Sequence, residues 1–368
     1  MNSEFIEAIN TLELERDIQK DVLIEAIELA LVSAYKKNYA NNQNVSTHNV
    51  SVHINKETGD INVYMTRDIV DEVLDELSEI SLEEAKKIDE TYEIGDVVEY
   101  QITPKDFGRI AAQTAKQVVL QKIRDAEKQK IYSDYSDKNG ELIVGIVSRI
   151  SGETTFVDVG QAEGIIPPIE RIPGEEYYVG QRIRAYLVDV KRTGKGSQIY
   201  LSRSHPCFVK RMFELEVPEI ADGTVKIMSI ARDAGFRTKI AVYTDDENVD
   251  PIGACVGPRG IRVKAIIDEI SGEKIDISIW SEEPAVLIRN ALSPATVEEV
   301  LLDMDEKSAV VVVPDEQLSL AIGRAGQNAR LAAKLTGWKI DIKSRKRYEE
   351  MLGDDEQDYQ EIVEYSEE

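Results

Sequence analysis

One pattern occurs twice in the second half of the chain. The segment "ACVGPRGIRVKAIIDEISGEKIDI" is followed, 66 residues on, by "LAIGRAGQNARLAAKLTGWKIDI". In each copy an apolar residue precedes Gly-x-x-Gly, an amphipathic run follows, and a later glycine leads into Lys-Ile-Asp-Ile. Apolar residues at helical spacing predict helices over residues 261–270 and 327–335, each followed by a strand. The duplication in matched surroundings predicts two copies of one folded unit.

The elements before each glycine turn also match. Two strands are predicted in "TVKIMSIA" and "FRTKIAVYT", and again in "TVEEVLLDM" and "SAVVVVP", with the short helices "DPIGACV" and "EQLSLAI" just before the turns. The order helix, two strands, two helices around the turn and a last strand resembles the bacterial, type II arrangement of the KH domain. Two helical hairpins with glycine C-caps would explain each turn alone, but they leave the duplicated strand order unexplained.

The glycine turn suits contact with a sugar-phosphate backbone. Glycine permits positive φ and close approach of the main chain, and the start of the next helix offers free N–H groups and a positive dipole end. Arg259 and Arg324 add a charge that we expect at the same place in both turns, and apolar neighbours such as Val256 and Ile322 line a groove for about four nucleotides. The predicted RNA-binding residues of these units are Gly257, Pro258, Arg259, Gly260, Arg262, Lys264, Gly323, Arg324, Ala325, Gly326, Gln327, Asn328 and Arg330.

Residues 139–203 show five short strand patterns separated by glycine-containing turns. Their number and length resemble the S1-type RNA-binding domain, an OB-fold β-barrel. Phe156 is kept on the second strand, whereas Glu153 and Pro167 stand where that family often has an aromatic residue and a His. Base stacking is therefore expected to be weak and cations to contribute more; a barrel that serves only as a spacer is the alternative. The predicted RNA-binding residues of the barrel are Phe156, Arg182, Arg184, Lys191 and Arg192.

The first part of the chain has a different character. Apolar residues at helical spacing from Leu23 to Ala34 predict a helix, and alternation over residues 50–54 and 61–63 predicts a hairpin. "SLEE" at residues 81–84 has capping-box spacing. From Phe107 to about Tyr135 no Pro or Gly follows Gly108, which predicts a helix of roughly 40 Å. We expect this helix to connect the first domain to the barrel.

Charge is unevenly distributed along the chain. The formal net charge is −25, but the last twenty residues alone hold ten acidic groups and no basic one. Residues 181–211 carry eight Lys or Arg against one acid, and residues 316–348 carry eight against two. These basic segments coincide with the predicted RNA-binding elements. The acidic tail is expected to be disordered; it either shields the basic run "KSRKR" as an RNA mimic or is merely solvated.

Several classes of protein are disfavoured. The two cysteines, Cys207 and Cys255, form no CxxC and are expected to be buried small residues, so neither a disulfide framework, a metal nor a cofactor is predicted. The three His residues match no catalytic motif, which disfavours an enzyme. No apolar stretch of 18 residues and no apolar leader are present, so a cytoplasmic, monomeric protein without a membrane partner is expected.

An S1-type barrel followed directly by two KH units, after an amino-terminal domain with a long helix, resembles the NusA family of bacterial transcription factors. The segments "TAKQVVLQKIRDAE", "FELEVPEI" and "AIGRAGQNARLAAKLTGWKIDI" carry the resemblance, which covers residues 1 to about 345. It implies an α+β multidomain chain whose amino-terminal domain binds core RNA polymerase, while the barrel and KH units bind nascent single-stranded RNA. Pausing, intrinsic termination and antitermination are the implied processes, with other antitermination factors as further partners.

The expected domains are an α/β amino-terminal domain at 1–135, the barrel at 136–204, KH units at 205–282 and 283–347, and the tail at 348–368. Acidic repeat domains found in some members are absent, so the short form of the family is expected. A phosphorolytic nuclease also joins KH and S1 units, but there the KH unit comes first and catalytic domains precede both. A ribosome-associated or RNA-processing KH/S1 protein without polymerase contact is the remaining alternative.

Overall fold

The computed structural model describes residues 19–39, 49–75, 78–104, 107–194 and 196–351, and residues 6, 7, 9–11 and 13 before them. The chain forms two compact units, divided between Ile131 and Tyr132. Most of the predicted acidic tail, residues 352–368, lies outside the described residues. Within the described ranges, no helix combines the length and apolarity that crossing a membrane requires.

The first unit packs two helices on a small sheet. Its elements are α1 (Lys20–Tyr39), β1 (Val50–Ile54), β2 (Ile61–Val70), β3 (Glu79–Ser81), α2 (Leu82–Ala85), β4 (Val97–Gln101) and the first part of α3 (Phe107–Ser136). Strand β2 pairs with all three other strands, antiparallel to β1 and β4 and parallel to β3. Leu23, Ile27 and Leu31 of α1 share one buried core with Val52 and Phe107, which explains their helical spacing.

The sequence patterns of the first unit predicted some of its elements and missed others. The predicted hairpin is β1 and β2, with Val52 opposite Val63. The Ser81 side chain accepts a hydrogen bond from the Glu84 N–H at 3.3 Å, as in a capping box, although the helix that it starts has only four residues. Strands β3 and β4 were not predicted. Helix α3 has the predicted extent, with 30 residues and a length of about 45 Å.

The second unit begins with a closed five-stranded barrel. Its strands are β5 (Leu142–Ser151), β6 (Thr154–Asp158), β7 (Glu163–Ile166), β8 (Arg182–Thr193) and β9 (Gly196–Ser202), paired in the order β5-β6-β7-β9-β8. Alternation sets the two faces of the wall. Thr155 and Val157 are buried inside, while Phe156 between them is half-buried on the outer wall.

Two KH units follow with the same order of strands and glycine-turn helices, and the first has one additional short helix, α5, before its first strand. The first contains α4 (Pro206–Glu216), α5 (Pro218–Ala221), β10 (Val225–Asp233), β11 (Arg237–Thr244), α6 (Pro251–Val256), α7 (Ile261–Glu269) and β12 (Lys274–Ile279). The second contains α8 (Pro284–Ala291), β13 (Glu299–Asp303), β14 (Ser308–Val313), α9 (Leu318–Ile322), α10 (Gln327–Thr336) and β15 (Lys339–Ser344). In each sheet an antiparallel pair precedes a parallel one. The predicted fold class, including two type II KH units, is confirmed.

The first KH sheet is covered on both faces. Ile240 and Val242 of β11 pack with Phe208 of α4 and Ile266 of α7. Ala241, on the opposite face of the same strand, belongs to the core of the second KH unit. The core of the second KH unit therefore extends onto the first KH sheet.

The cysteines differ in environment. Cys255 is buried, and burial raises the pKa of its thiol to about 12. Cys207 is only half-buried beside Tyr186, so the prediction that both cysteines are buried is wrong for Cys207. It is the second residue of α4, where its N–H donates to Nδ1 of the N-cap residue His205 at 3.1 Å.

Candidate nucleic-acid interface

The two Gly-x-x-Gly turns have the same backbone conformation. In the first, Gly257 has φ 71° and ψ 172°, and Gly260 has φ 74° and ψ 17°. In the second, Gly323 has φ 74° and ψ 172°, and Gly326 has φ 72° and ψ 14°. The residue before each second glycine is also left-handed, with φ 56° in the first turn and 51° in the second. The duplicated spelling therefore encodes a duplicated loop.

The two glycines of each turn have different tasks. A Cβ on Gly257 would lie 2.7 Å from Cγ of Arg262, and one on Gly323 would lie 2.8 Å from the Asn328 main-chain nitrogen. The first glycine is thus required because the following helix passes close behind it. A Cβ on Gly260 or Gly326 meets nothing within 4 Å. Only the second glycine faces open space through which a sugar-phosphate backbone could approach.

Positive charge stands at both turns, but not at identical positions. Arg259 and Lys264 are exposed in the first unit, as is Arg324 in the second. Arg259 occupies the third, left-handed place of its turn, where the second unit has Ala325, whereas Arg324 occupies the second place. The expectation that both arginines sit at the same place is therefore corrected by one residue. Neither α7 nor α10 has a side-chain cap at its N-cap glycine. The first N–H of each helix, at Ile261 and Gln327, donates within the turn to the carbonyl of Pro258 or Arg324, so the positive end of the helix dipole lies at the turn with no side chain over it.

Some predicted contact residues hold the turns in shape instead. Arg262 donates to the Ala254 carbonyl at 2.7 Å and to Glu219 at 2.9 Å. Asn328, only 2% exposed, donates to the carbonyls of Ala321 and Leu292 at 3.0 Å each. Both side chains lie behind the turn because each ties the second helix of its pair to the first. Direct contact of the Asn328 side chain with RNA does not fit this placement.

The second turn is also tied to the first KH unit. Asp233, at the end of β10, accepts from the Gln327 side chain at 2.7 Å and from Arg330 at 3.0 Å. Both donors are in the first turn and a half of α10, beside the loop. Part of the positive charge predicted for RNA is therefore compensated by a carboxylate of the neighbouring unit.

The barrel places its predicted residues in three groups. Arg182 and Arg184 line a cleft of about 260 Å³ with Val144 and Glu269, and Glu269 accepts from Arg184 at 2.7 Å. Lys191 lies 5.0 Å from the ring centre of Tyr200, and Arg192 lies 4.1 Å from that of Tyr132. Phe156 lies beneath the guanidinium of Arg149.

Two cation–aromatic pairs on the outer wall, Arg149 with Phe156 and Lys191 with Tyr200, were not predicted from the sequence. Arg149 on β5 lies opposite Phe156 on β6, and Tyr200 on β9 lies opposite Ile165 of β7, which in turn lies opposite Phe156. The three residues Phe156, Ile165 and Tyr200 thus form one outward row across adjacent strands. Alternation in "QIYLS", where Ile199 and Leu201 are buried, was the signal that could have identified Tyr200.

A buried ionic cluster joins the barrel to the first KH unit. Arg203, just after β9, is 2% exposed and donates to Glu175, Glu269 and the Arg184 carbonyl. Ser271, just after α7, donates to the same Glu175 at 3.1 Å. Because a buried charge is costly without its partners, this cluster fixes the barrel against α7 and sets the spacing between Arg184 and the first turn.

This combination of a barrel with a cation-rich outer wall and two glycine-turn units defines a protein for binding single-stranded nucleic acid. Four family models match the chain in sequence: the NusA N-terminal domain over residues 4–129, the S1 RNA binding domain over 136–202, the NusA-like first KH domain over 203–280 and the NusA-like second KH domain over 284–350.

Whole-length relatives agree with these models. The transcription termination/antitermination protein NusA of Bacillus subtilis is 55% identical over 344 residues, covering 94% of this chain and 91% of the relative. Its namesake from Thermus thermophilus is 42% identical over 92% and 89% of the two chains. The solution structure of the N-terminal domain of NusA from B. subtilis is 56% identical, over 34% of this chain and 98% of that chain, with a TM-score of 0.30. The chain belongs to the NusA family.

Proposed function

We propose that this protein is a transcription factor that contacts RNA polymerase and holds emerging single-stranded RNA, and so modulates pausing, intrinsic termination and antitermination. The observation that carries the proposal is the pair of Gly-x-x-Gly turns with one backbone conformation, each opening an uncapped helix beside exposed arginine. Relatives covering more than nine-tenths of the chain bear the name transcription termination/antitermination protein, which supports the same function.

RNA binding falls to the second unit. The positive ends of the helix dipoles at the starts of α7 and α10, together with Arg259, Lys264 and Arg324, attract phosphates, while bases lie over the apolar residues beside each turn. The shared core of the two KH units and the Arg203 cluster hold these turns and the barrel in one arrangement. The arrangement favours one continuous path for a single strand over three independent sites.

Polymerase contact falls to the first unit. The match to the NusA N-terminal domain over residues 4–129 supports this assignment. The predicted domain boundaries, the cytoplasmic location, the monomeric state and the non-enzymatic character belong to the same proposal.

The test separates the two contacts within the full chain. Gly260 and Gly326 are both replaced by Asp, which places a negative charge where phosphate approaches. The added Cβ has room, and left-handed φ at non-glycine residues costs about 1 kcal/mol each, so the fold is expected to survive. We expect the variant to lose single-stranded RNA binding by at least tenfold and to stop lengthening pauses in single-round transcription, while it still co-purifies with core polymerase.

Gly95→Asp is the matched control for the RNA-binding arm. Gly95 lies in the first unit, has φ 96° and also leaves space for a Cβ, so its variant carries similar strain and charge without touching either turn. Unaltered pausing by a double variant that has lost RNA would refute the mechanism, because polymerase contact would then suffice. Loss of polymerase association in the double variant would refute the division of labour between the units.

A further inference from the structure

The ring of Phe156 is not open to a base. The guanidinium carbon of Arg149 lies 3.4 Å from the centre of the ring, which is the separation of two stacked planar groups. Register places the two residues directly opposite each other on β5 and β6, beside a β-bulge at Ser148. The outward face of the aromatic residue that the sequence favoured as the stacking surface is therefore already covered.

Glu163 holds the guanidinium in this position. Its carboxylate, on β7, accepts from Nε of Arg149 at 3.3 Å and from Nη2 at 2.9 Å, and it also accepts from Ser148 at 3.0 Å. A carboxylate that accepts two parallel N–H groups fixes the plane of an arginine as well as its place. The Phe156 ring covers one face of the guanidinium and the Glu163 carboxylate lies at its edge. The other face is in solvent, since the Arg149 side chain is 54% exposed.

We infer that the outer face of the Arg149 guanidinium is the base-stacking surface of the barrel, with Phe156 as its support and Glu163 as the residue that positions it. The ligand is an unpaired base of single-stranded RNA, so the inference rests on the proposed function and deepens it. Planar arginine groups stack on bases as aromatic rings do, and such stacking tolerates any base. Arg149 thus compensates for the aromatic residue that is missing at Glu153.

Two alternative modes of RNA contact at this place, a base on Phe156 and a phosphate on Arg149, fit the geometry less well. Direct stacking of a base on Phe156 requires removal of a guanidinium that is held by a ring and a bidentate carboxylate. A phosphate contact requires net charge, and the charge of Arg149 is opposed by Glu163, whose pKa is lowered by hydrogen bonding from Arg149. Stacking alone uses what remains available, which is one flat, oriented and solvent-exposed face of the guanidinium.

The experiment uses the full chain and single-stranded RNA oligomers in which one nucleotide at a time is replaced by an abasic ribose. With the wild type, we expect one register at which loss of the base weakens binding about tenfold. Arg149→Lys keeps the charge but not the plane. This variant is expected to bind the intact oligomer about tenfold more weakly, to be indifferent to the base at that register and to keep the salt dependence of the wild type.

Arg149→Ala distinguishes the two stacking surfaces. If a base used Phe156 directly, removal of the guanidinium would uncover the ring, and binding would be kept or strengthened; that result overturns the inference. Equal binding of Arg149→Lys and wild type overturns it too, whereas a change in salt dependence alone would assign Arg149 to phosphate. Arg67→Lys is the matched control, since Arg67 lies over the ring of Tyr100 in the first unit, and it should change nothing.

Glu163→Gln tests the positioning role. The amide can hold only one of the two N–H groups, so we expect an intermediate loss of about threefold, confined to oligomers that keep the base. Failure of these variants to weaken binding leaves the proposed function intact, because the wild type still binds RNA in the same assay. Absence of wild-type binding to any single strand would instead remove the proposed function itself.

Discussion

The two KH units have one fold but unequal surroundings. Their duplicated tetrapeptide Lys-Ile-Asp-Ile places Asp276 on β12 and Asp341 on β15 at the same sheet position. Asp276 is 26% exposed and forms an ion pair with Lys239 at 3.0 Å. The buried Lys239 ammonium also donates to the Ser293 carbonyl of the second KH unit at 2.8 Å. Asp341 is 65% exposed, with Lys343 at 3.5 Å. The same tetrapeptide thus lies at the junction between the two KH units in the first copy and on a solvated surface in the second.

The glycine turns show the same inequality. The residue that the first glycine faces is the flexible stem of Arg262 in one unit and the main chain and Cβ of Asn328 in the other. The cations beside the turns differ as well, since Lys264 has a free, exposed place while its counterpart Arg330 is held by Asp233. The repeated sequence gives both turns the same backbone conformation, whereas the residues packed around each turn determine which substitutions it tolerates.

The largest expected effect compares Gly323→Ala with Gly257→Ala. Both glycines have φ near 70° and ψ 172°, a region almost reserved for glycine in which a side chain costs about 1–3 kcal/mol. In Gly257→Ala the obstacle is the side-chain stem of Arg262, which can shift only at the expense of its hydrogen bonds to Ala254 and Glu219, so we expect a loss of about 2 kcal/mol. In Gly323→Ala the obstacle is backbone, and overpacking adds to the strain, for a loss of about 4 kcal/mol in urea unfolding.

Equal losses at the two positions would contradict this comparison and would show that backbone strain alone controls both turns. Gly272→Ala supplies the reference, because Gly272 has φ 82° but no atom within 4 Å of an added Cβ. Its loss should be the smallest of the three variants.

The second comparison uses the duplicated aspartates. Asp276→Asn leaves Lys239 buried without its close anion, and removal of one partner of a buried pair costs about 3 kcal/mol; Asp341→Asn should cost less than about 0.5 kcal/mol. The measurement is the free energy of unfolding in urea at neutral pH for both variants and the wild type. A similar cost for the two variants would mean that the second KH unit does not cover Lys239 in solution.

The pH dependence gives a further readout of the same pair. Burial lowers the pKa of Lys239, and Asp276 opposes that shift. Between the lowered pKa and the ordinary value the unfolded chain binds more protons, so the free energy of unfolding rises with pH in that window. Asp276→Asn lowers the pKa further and widens the window downward. The deficit of the variant should therefore shrink as pH is raised, a trend absent from Asp341→Asn.

Much of this architecture could be predicted because its signals are local. Alternation fixed the barrel strands, apolar spacing fixed α1 and α3, and the glycine pattern fixed both turns within a residue or two. Strand β4 was missed because "VVEYQ" is short and Val98 is its only fully buried residue. Secondary structure and element order follow from neighbours in sequence, which a single chain displays directly.

The side-chain contacts at the candidate RNA-binding surface could not be predicted from local sequence patterns. Asp233 and Arg330 are 97 residues apart, and Arg149 meets Phe156 only through a register that contains a bulge. The Asn328 side chain looked like a polar contact residue, whereas its burial depends on the carbonyl of Leu292 from another element. Charge and residue type indicate which groups are present, but packing decides which of them are already engaged.

The smallest expected effect concerns the two equivalent cations. Single-stranded binding loses about 0.7 in the slope of log affinity against log salt for each phosphate contact removed. Lys264→Ala should reduce the slope by about that amount, because Lys264 is exposed. Arg330→Ala should reduce it by less than half as much, because Asp233 already compensates Arg330. Asp233→Asn should free Arg330, so that Arg330→Ala in that background equals Lys264→Ala. Equal slopes for both single variants with Asp233 present would show that RNA draws Arg330 away from the carboxylate, and the two units would then bind as equals despite their different surroundings.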